Sequence, residues 1–147
     1  MIHIYTDGAC RGNPGPGGWG VYCENDHREL CGSSAETTNN RMELQAVIRA
    51  FDLIENATAA DEGENKYTIY TDSQYVYKGI VAWRQMWKAN NWRNSKKKVV
   101  ENIDLWKELD VLVDSHPNTT YKWVKAHNGT HGNVQADRLA TSTILKS

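Results

Sequence analysis

Cysteine, proline and phenylalanine are scarce in this chain of 147 residues, and neither sign of charge predominates. The three cysteines, Cys10, Cys23 and Cys31, are odd in number and lack C-x-x-C spacing, which argues against a disulfide framework or a structural zinc site. They are expected to be reduced thiols, each packed as a small apolar group. The longest uninterrupted apolar run is Ile80-Val81-Ala82-Trp83, far short of the roughly 18 residues that a membrane helix needs. No basic stretch leads into a long apolar region at Met1–Tyr5, so no membrane contact is expected and the cytoplasm is the expected compartment. With 24% charged and 39% hydrophobic residues, disordered and collagen-like chains are excluded. The length predicts one domain across residues 1–147. No G-x-x-x-x-G-K-[ST] phosphate loop and no G-x-S-x-G nucleophile elbow is present.

The net charge is −1 with a pI near 6.5, but its distribution is uneven. All 18 acidic residues lie outside 73–100, a window that carries Lys78, Arg84, Lys88, Arg93, Lys96, Lys97 and Lys98. Trp83, Trp87 and Trp92 fall in the same window. Basic side chains interleaved with flat aromatics suit a phosphate backbone with base or sugar surface beside it. Trp83 and Trp87 are also four apart, so they share a helix face that fits core packing equally well.

Periodicity predicts strands at Ile2 to Asp7, Trp19 to Cys23, His27 to Gly32, Lys66 to Thr71 and Thr119 to Val124. It predicts helices at Met42 to Ala57, Ser73 to Ile80, Ile103 to Val113 and Val134 to Leu145. Gly12 to Gly18 reads as a tight turn and Ser33 to Arg41 as a polar loop. The order β-β-β-α-β-α-α-β-α implies an α/β fold, one mixed sheet with helices packed on it.

One short repetition stands out. Ile4-Tyr5-Thr6-Asp7 recurs as Ile69-Tyr70-Thr71-Asp72, and each copy ends a predicted strand with an aspartate. If the helix between them is a crossover, the two strands are parallel. Ligands bind at the C-terminal edge of parallel strands, so Asp7 and Asp72 are candidates for a shared site. Each acid also has a structural explanation. Aspartate favours turns, Glu43 fits a capping-box glutamate after Asn40, and Asp137 lies near a helix start, where the macrodipole favours a carboxylate. If Asp7, Glu43, Asp72 and Asp137 converge, their charges require a cation. Hard oxygen ligands suit Mg²⁺ or Mn²⁺. His127 could move protons beside them, or be a surface-loop histidine; His131 has the same surface explanation.

Four segments carry a resemblance. Tyr5-Thr6-Asp7-Gly8-Ala9-Cys10-x-Gly12-Asn13-Pro14-Gly15-Pro16-Gly17-Gly18, Thr37 to Leu44, Thr71 to Val76, and Trp123-Val124-Lys125-x-His127-x-Gly129 with Asn133 and Ala136-Asp137 resemble, in order, the signatures of bacterial-type type 1 ribonucleases H. The similarity spans about residues 2 to 140. It implies a ribonuclease H-like fold, a five-stranded mixed sheet flanked by helices with a basic protrusion. It implies endonucleolytic hydrolysis of the RNA strand of RNA–DNA hybrids, leaving 5′-phosphate and 3′-hydroxyl ends. Asp7 would bridge two Mg²⁺ ions, for which Mn²⁺ would substitute. Asp137 would share the ion that activates water, Glu43 and Asp72 would hold the ion beside the leaving group, and His127 would assist proton transfer or product release.

The resemblance further implies that Asn13, Asn39 and Gln74 reach into the hybrid's minor groove and that Thr38 and Asn40 receive a DNA-strand phosphate. Trp83, Trp87, Lys88, Trp92, Lys96, Lys97 and Lys98 would belong to the protrusion that grips the hybrid. A monomer is expected. The chain departs from the family pattern at Val134, where an acidic residue is usual, at the extra His131, and at Glu101, where a basic residue is usual. Three other readings remain at this level: a DNA-processing nuclease or integrase domain of the same superfamily, a catalytically silent hybrid-binding module, and a structural domain whose acids are caps and strand ends.

Overall fold

A computed structural model describes residues 1–56, 66–126 and 130–144. Among these residues the chain runs β1 (Ile2–Cys10), β2 (Gly15–Cys23), β3 (Glu29–Thr37), α1 (Asn39–Glu55), β4 (Tyr67–Thr71), α2 (Gln74–Lys78), a π-helical turn (Gly79–Trp83), α3 (Arg84–Ala89), α4 (Ile103–Ser115), β5 (Thr119–Trp123) and α5 (His131–Ile144). The strands form one sheet in the order β3-β2-β1-β4-β5. β1 and β2, and β2 and β3, are antiparallel, whereas β4 is parallel to both β1 and β5. The α/β fold class and the mixed five-stranded sheet are therefore as the sequence implies.

Alternation on β1 explains its central place. Ile2 and Ile4 join a core built by Leu44, Val47 and Phe51 of α1 and by Trp106 and Leu109 of α4. Ala136, Leu139 and Ala140 of α5 are also buried. α5 lies on β2 where Gly18 and Gly20 leave room, since a Cβ at Gly20 would overlap the Ala136 carbonyl and one at Gly18 that of Ala140. Full burial of a Leu or Phe side chain contributes about 1.5–3 kcal/mol, so Leu44, Phe51 and Leu109 anchor the helices firmly on the sheet.

Several boundaries differ from the sequence expectation. Gly15 to Gly18, read as turn, are already strand, with a register shift between Gly15 and Gly17. Of these, Gly18 serves helix approach, whereas Gly15 lies against the Arg11 carbonyl within the chain reversal itself. Ser33 to Thr37, read as loop, belong to β3. β3 is an edge strand with few buried side chains, so it lacks the apolar alternation by which a strand is recognised. Its Cys31 is exposed rather than packed, while Cys23 is buried and Cys10 half-buried. The helix α1 is capped by Thr38, whose Oγ1 accepts the Arg41 N–H at 3.2 Å. Glu43 therefore lies past the first turn and does not serve as the capping-box acid.

Candidate active site

The repeated tetrapeptides lie side by side. Ile4, Tyr5 and Thr6 are register partners of Ile69, Tyr70 and Thr71, and the Thr6 hydroxyl donates to the Tyr70 carbonyl at 2.8 Å. Asp7 and Asp72 are thus delivered together at the C-terminal edge of two parallel strands. Trp123 of β5 secures this edge, its indole N–H donating to the Asp72 carbonyl at 3.1 Å.

Glu43 arrives from α1. A Cβ on Gly8 would overlap the backbone of Met42 and Glu43, so a glycine directly after Asp7 lets the helix lie against β1. One carboxylate oxygen from each of Asp7, Glu43 and Asp72 lies within 4.8 Å of the others, with Asp7 and Glu43 buried and Asp72 half-buried. Glu43 Oε2 is buried with no hydrogen-bond partner. Asp137 comes from the seventh position of α5, two turns past the helix start, where the macrodipole has faded. Dipole stabilisation does not explain it; it lies outside the three-carboxylate cluster, but near enough to Asp7 for its charge and a hydrogen bond to raise that carboxyl.

The electrostatics follow from this crowding. Burial, then the charges of Asp72 and Asp137, push the Asp7 carboxyl up to about 8, against a hydrogen bond from Glu43 that lowers it. Burial and the charges of Asp7 and Asp72 raise Glu43 well above the carboxylate range. A hydrogen bond from the Gly8 N–H opposes the rise at Glu43 only in part, and the same N–H donates to Asp7 Oδ1 at 2.9 Å. A buried carboxylate oxygen without a donor and a set of all-oxygen ligands fit a hard divalent cation, which would remove the repulsion that keeps these groups protonated.

The remaining sequence candidates divide into two groups. Asn13 and Asn39 meet, the Asn39 N–H donating to Asn13 Oδ1 at 3.0 Å. Thr38 and Asn40 flank them at the start of α1, and Gln74 is exposed in the first turn of α2, directly after Ser73 caps it. His127 lies outside the described residues.

In the basic window the tryptophans pack inward in series. Trp83 meets Trp87 at 5.9 Å, Trp87 meets Trp92 at 6.5 Å, and Trp87 sits edge-on to buried Trp106 at 5.0 Å. A cleft of about 280 Å³ remains beside Trp83, Trp87, Arg93 and Asn94. Lys96, Lys97 and Lys98 are exposed. Lys88 is instead held by Asp114 at 2.9 Å and Asp110 at 3.3 Å. Arg84, buried beside it, pairs with the same two carboxylates at 2.5 and 2.9 Å. Sequence reasoning read Arg84 only as part of the positive charge, because its partners lie 26 and 30 residues away. The roles of Gly8 and Gly20 were also missed, although a glycine inside a strand pattern signals close backbone approach.

The model of the RNase H family matches residues 1–144. A ribonuclease H of Ehrlichia canis is 50% identical over 147 residues, covering 99% of this chain and 95% of that protein. One of Pseudomonas fluorescens is 48% identical over 145 residues, covering 97% and 91%. Among solved structures, LC9-RNase H1, a type 1 RNase H with the type 2 active-site motif, superposes with a TM-score of 0.83 at 31% identity, covering 99% of this chain and 72% of that one. LC11-RNase H1 in complex with an RNA/DNA hybrid superposes with a TM-score of 0.75 at 25% identity, covering 99% and 98%.

Proposed function

Because this chain belongs to the RNase H family, we propose that it hydrolyses the RNA strand of RNA–DNA hybrids endonucleolytically, leaving 5′-phosphate and 3′-hydroxyl ends. The observation that carries the reading is the convergence of Asp7, Glu43 and Asp72 from three separate elements, with a buried Glu43 oxygen left without a donor. Asp7, Glu43, Asp72 and Asp137 would hold two Mg²⁺ ions, which when bound supply an activated water and charge neutralisation at the scissile phosphate. The rigid strand edge and the close-packed α1 pre-set these oxygens, so no reorganisation is needed when substrate arrives. His127 is assigned proton transfer on its place in the fourth sequence motif.

Selectivity has a physical basis in the groove. A hybrid presents 2′-hydroxyls on one strand alone, and a wide minor groove leaves them accessible. Asn13, Asn39 and Gln74 would read that groove. The Thr38 hydroxyl already accepts the Arg41 N–H, but its own proton remains for a DNA-strand phosphate at Thr38 and Asn40. Lys96, Lys97 and Lys98 would grip the backbone beyond the site beside Trp83, Trp87 and Trp92, whereas Lys88 would act through its carboxylate partners. The reading carries with it a cytoplasmic monomer.

The test is cleavage of three end-labelled duplexes, RNA–DNA, RNA–RNA and DNA–DNA, with the product ends mapped. The reading expects cuts only in the RNA of the hybrid, with products that accept polynucleotide-kinase labelling only after phosphatase treatment. Cleavage of duplex DNA would favour a DNA-processing nuclease instead.

A further inference from the structure

A row of three tyrosines crosses the sheet beneath the carboxylates. Tyr22, Tyr5 and Tyr70 are register neighbours on β2, β1 and β4. Tyr5 and Tyr70 stack with centroids 4.3 Å apart and planes 8° from parallel. Side chains two residues apart on a strand share a face, so this row lies one step before Asp7 and Asp72. The first turn of α5 rests on it. Gly132 is buried against Tyr5, whose ring a Cβ at that position would overlap.

His131, the residue before, sets its ring edge-on to Tyr22, 5.7 Å between centroids at 79°. Its Nε2 lies 3.5 Å from the Tyr22 hydroxyl, and His27 Nδ1 lies 2.7 Å from the same oxygen. A hydroxyl donates once and accepts twice, so Tyr22 can serve both imidazoles, donating to one and accepting from the other. His131 is one of the residues at which this sequence departs from the pattern it resembles.

We propose that Tyr22 and His131 are positioning residues that fix the first turn of α5 on the sheet and thereby set the Asp137 carboxylate against Asp7. The far end of α5 is tied to β3, Thr143 Oγ1 donating to the Gly32 carbonyl at 3.0 Å, and its middle by Arg138 to Glu29 at 2.7 Å. Asp137 lies six residues, about 9 Å at 1.5 Å per residue, from the Tyr22 contact. Release of the near end frays α5 from its first turn and so loosens the turn that presents Asp137 to Asp7. The metal consequence rests on the proposed role of Asp137; the anchoring itself does not.

The test uses Tyr22→Phe, which deletes one oxygen and keeps the ring, with His131→Ala and His131→Gln. Amide hydrogen exchange of α5 reads the anchor, and calorimetric titration with Mg²⁺ in the absence of nucleic acid reads its consequence. Tyr22→Phe and His131→Ala are expected to speed exchange at residues 133–137 and to weaken Mg²⁺ binding by about 3–10-fold, at or below the roughly 10–100-fold typical of groups that orient a ligand directly. His131→Gln, which restores an N–H donor, is expected to recover both. Unchanged exchange in both variants, or failure of the glutamine to restore it, would overturn the anchor. Altered exchange with unchanged Mg²⁺ affinity would overturn its link to Asp137. A wild-type protein that binds no Mg²⁺ would count against the metal reading of the carboxylates and would sever that link too, while exchange still judges the anchor.

Discussion

Asp7 and Asp72 bring carboxylate oxygens within 4.8 Å of each other from neighbouring parallel strands, because the residues just before them, Thr6 and Thr71, are register partners. Two like charges so placed at a half-buried edge oppose each other unless a cation or a proton intervenes. The consequences reach stability as well as catalysis.

The Asp7 carboxyl titrates at about 8 in the folded chain against 3.8 for a free aspartate. The fold therefore holds a proton that the unfolded chain has already lost. The stability this contributes is complete below the unfolded value and disappears as pH rises through the folded one, with a limiting slope of about 1.4 kcal/mol per pH unit for each proton. In EDTA, the wild-type melting temperature is expected to fall across that window, and Mg²⁺ to flatten the fall. Asp7→Asn, which has no such proton to lose, should show a smaller fall. Parallel melting curves against pH for wild type and variant would contradict the raised Asp7 value.

Arg84 is a second buried charge with a different resolution. Its guanidinium and Asp110 are both largely sequestered, whereas the Asp114 side chain is half exposed. Removing one partner of a buried pair costs up to about 3–5 kcal/mol, here reduced because Asp114 still faces Arg84 at 2.9 Å, while an exposed partner contributes about 0–1 kcal/mol. Urea unfolding should therefore rank Asp110→Ala below Asp114→Ala in stability. Equal losses would mean that the network is a surface feature.

Lys96, Lys97 and Lys98 are exposed and, in the proposed reading, bind hybrid phosphates. Each lost phosphate contact changes the slope of log affinity against log salt by about 0.9 for a B-form duplex. Replacing all three with glutamine should weaken hybrid binding and flatten that slope. An unchanged slope would remove these lysines from the binding surface.

Much of this was legible in the sequence. The repeated Ile-Tyr-Thr-Asp marked two strands, their parallel pairing was expected if the intervening helix is a crossover, and the resemblance implied Glu43 and Asp137 beside them, of which Glu43 joins the two aspartates in the cluster. What stayed hidden was tertiary. Glu43 at a helix start and Asp137 near one both have ordinary local explanations, and only the observed cap at Thr38 and the observed start of α5 remove them. The polar β3 has no apolar alternation because it sits at the sheet edge. Gly18 of β2 read as a turn residue because the helix that needs its smallness is more than a hundred residues away. His131 stood out in the sequence, but its joining to Tyr22 did not, since residues more than a hundred positions apart leave no local pattern. Trp83, Trp87 and Trp92 fitted both nucleic-acid contact and core packing, and in the fold they pack in series towards Trp106 while a cleft remains at their side.

The most direct test of the account is the cleavage rate of a uniformly labelled RNA–DNA hybrid by wild type, Asp7→Asn and Asp72→Asn proteins in Mg²⁺ and in EDTA, with hybrid affinity measured on the same samples. The carboxylate centre predicts cleavage by wild type that EDTA abolishes. Each variant should lose more than the roughly 10–100-fold that an outer partner of a metal site costs, with hybrid affinity largely retained. Wild-type turnover that survives EDTA, or variants that cleave at the wild-type rate, would contradict it.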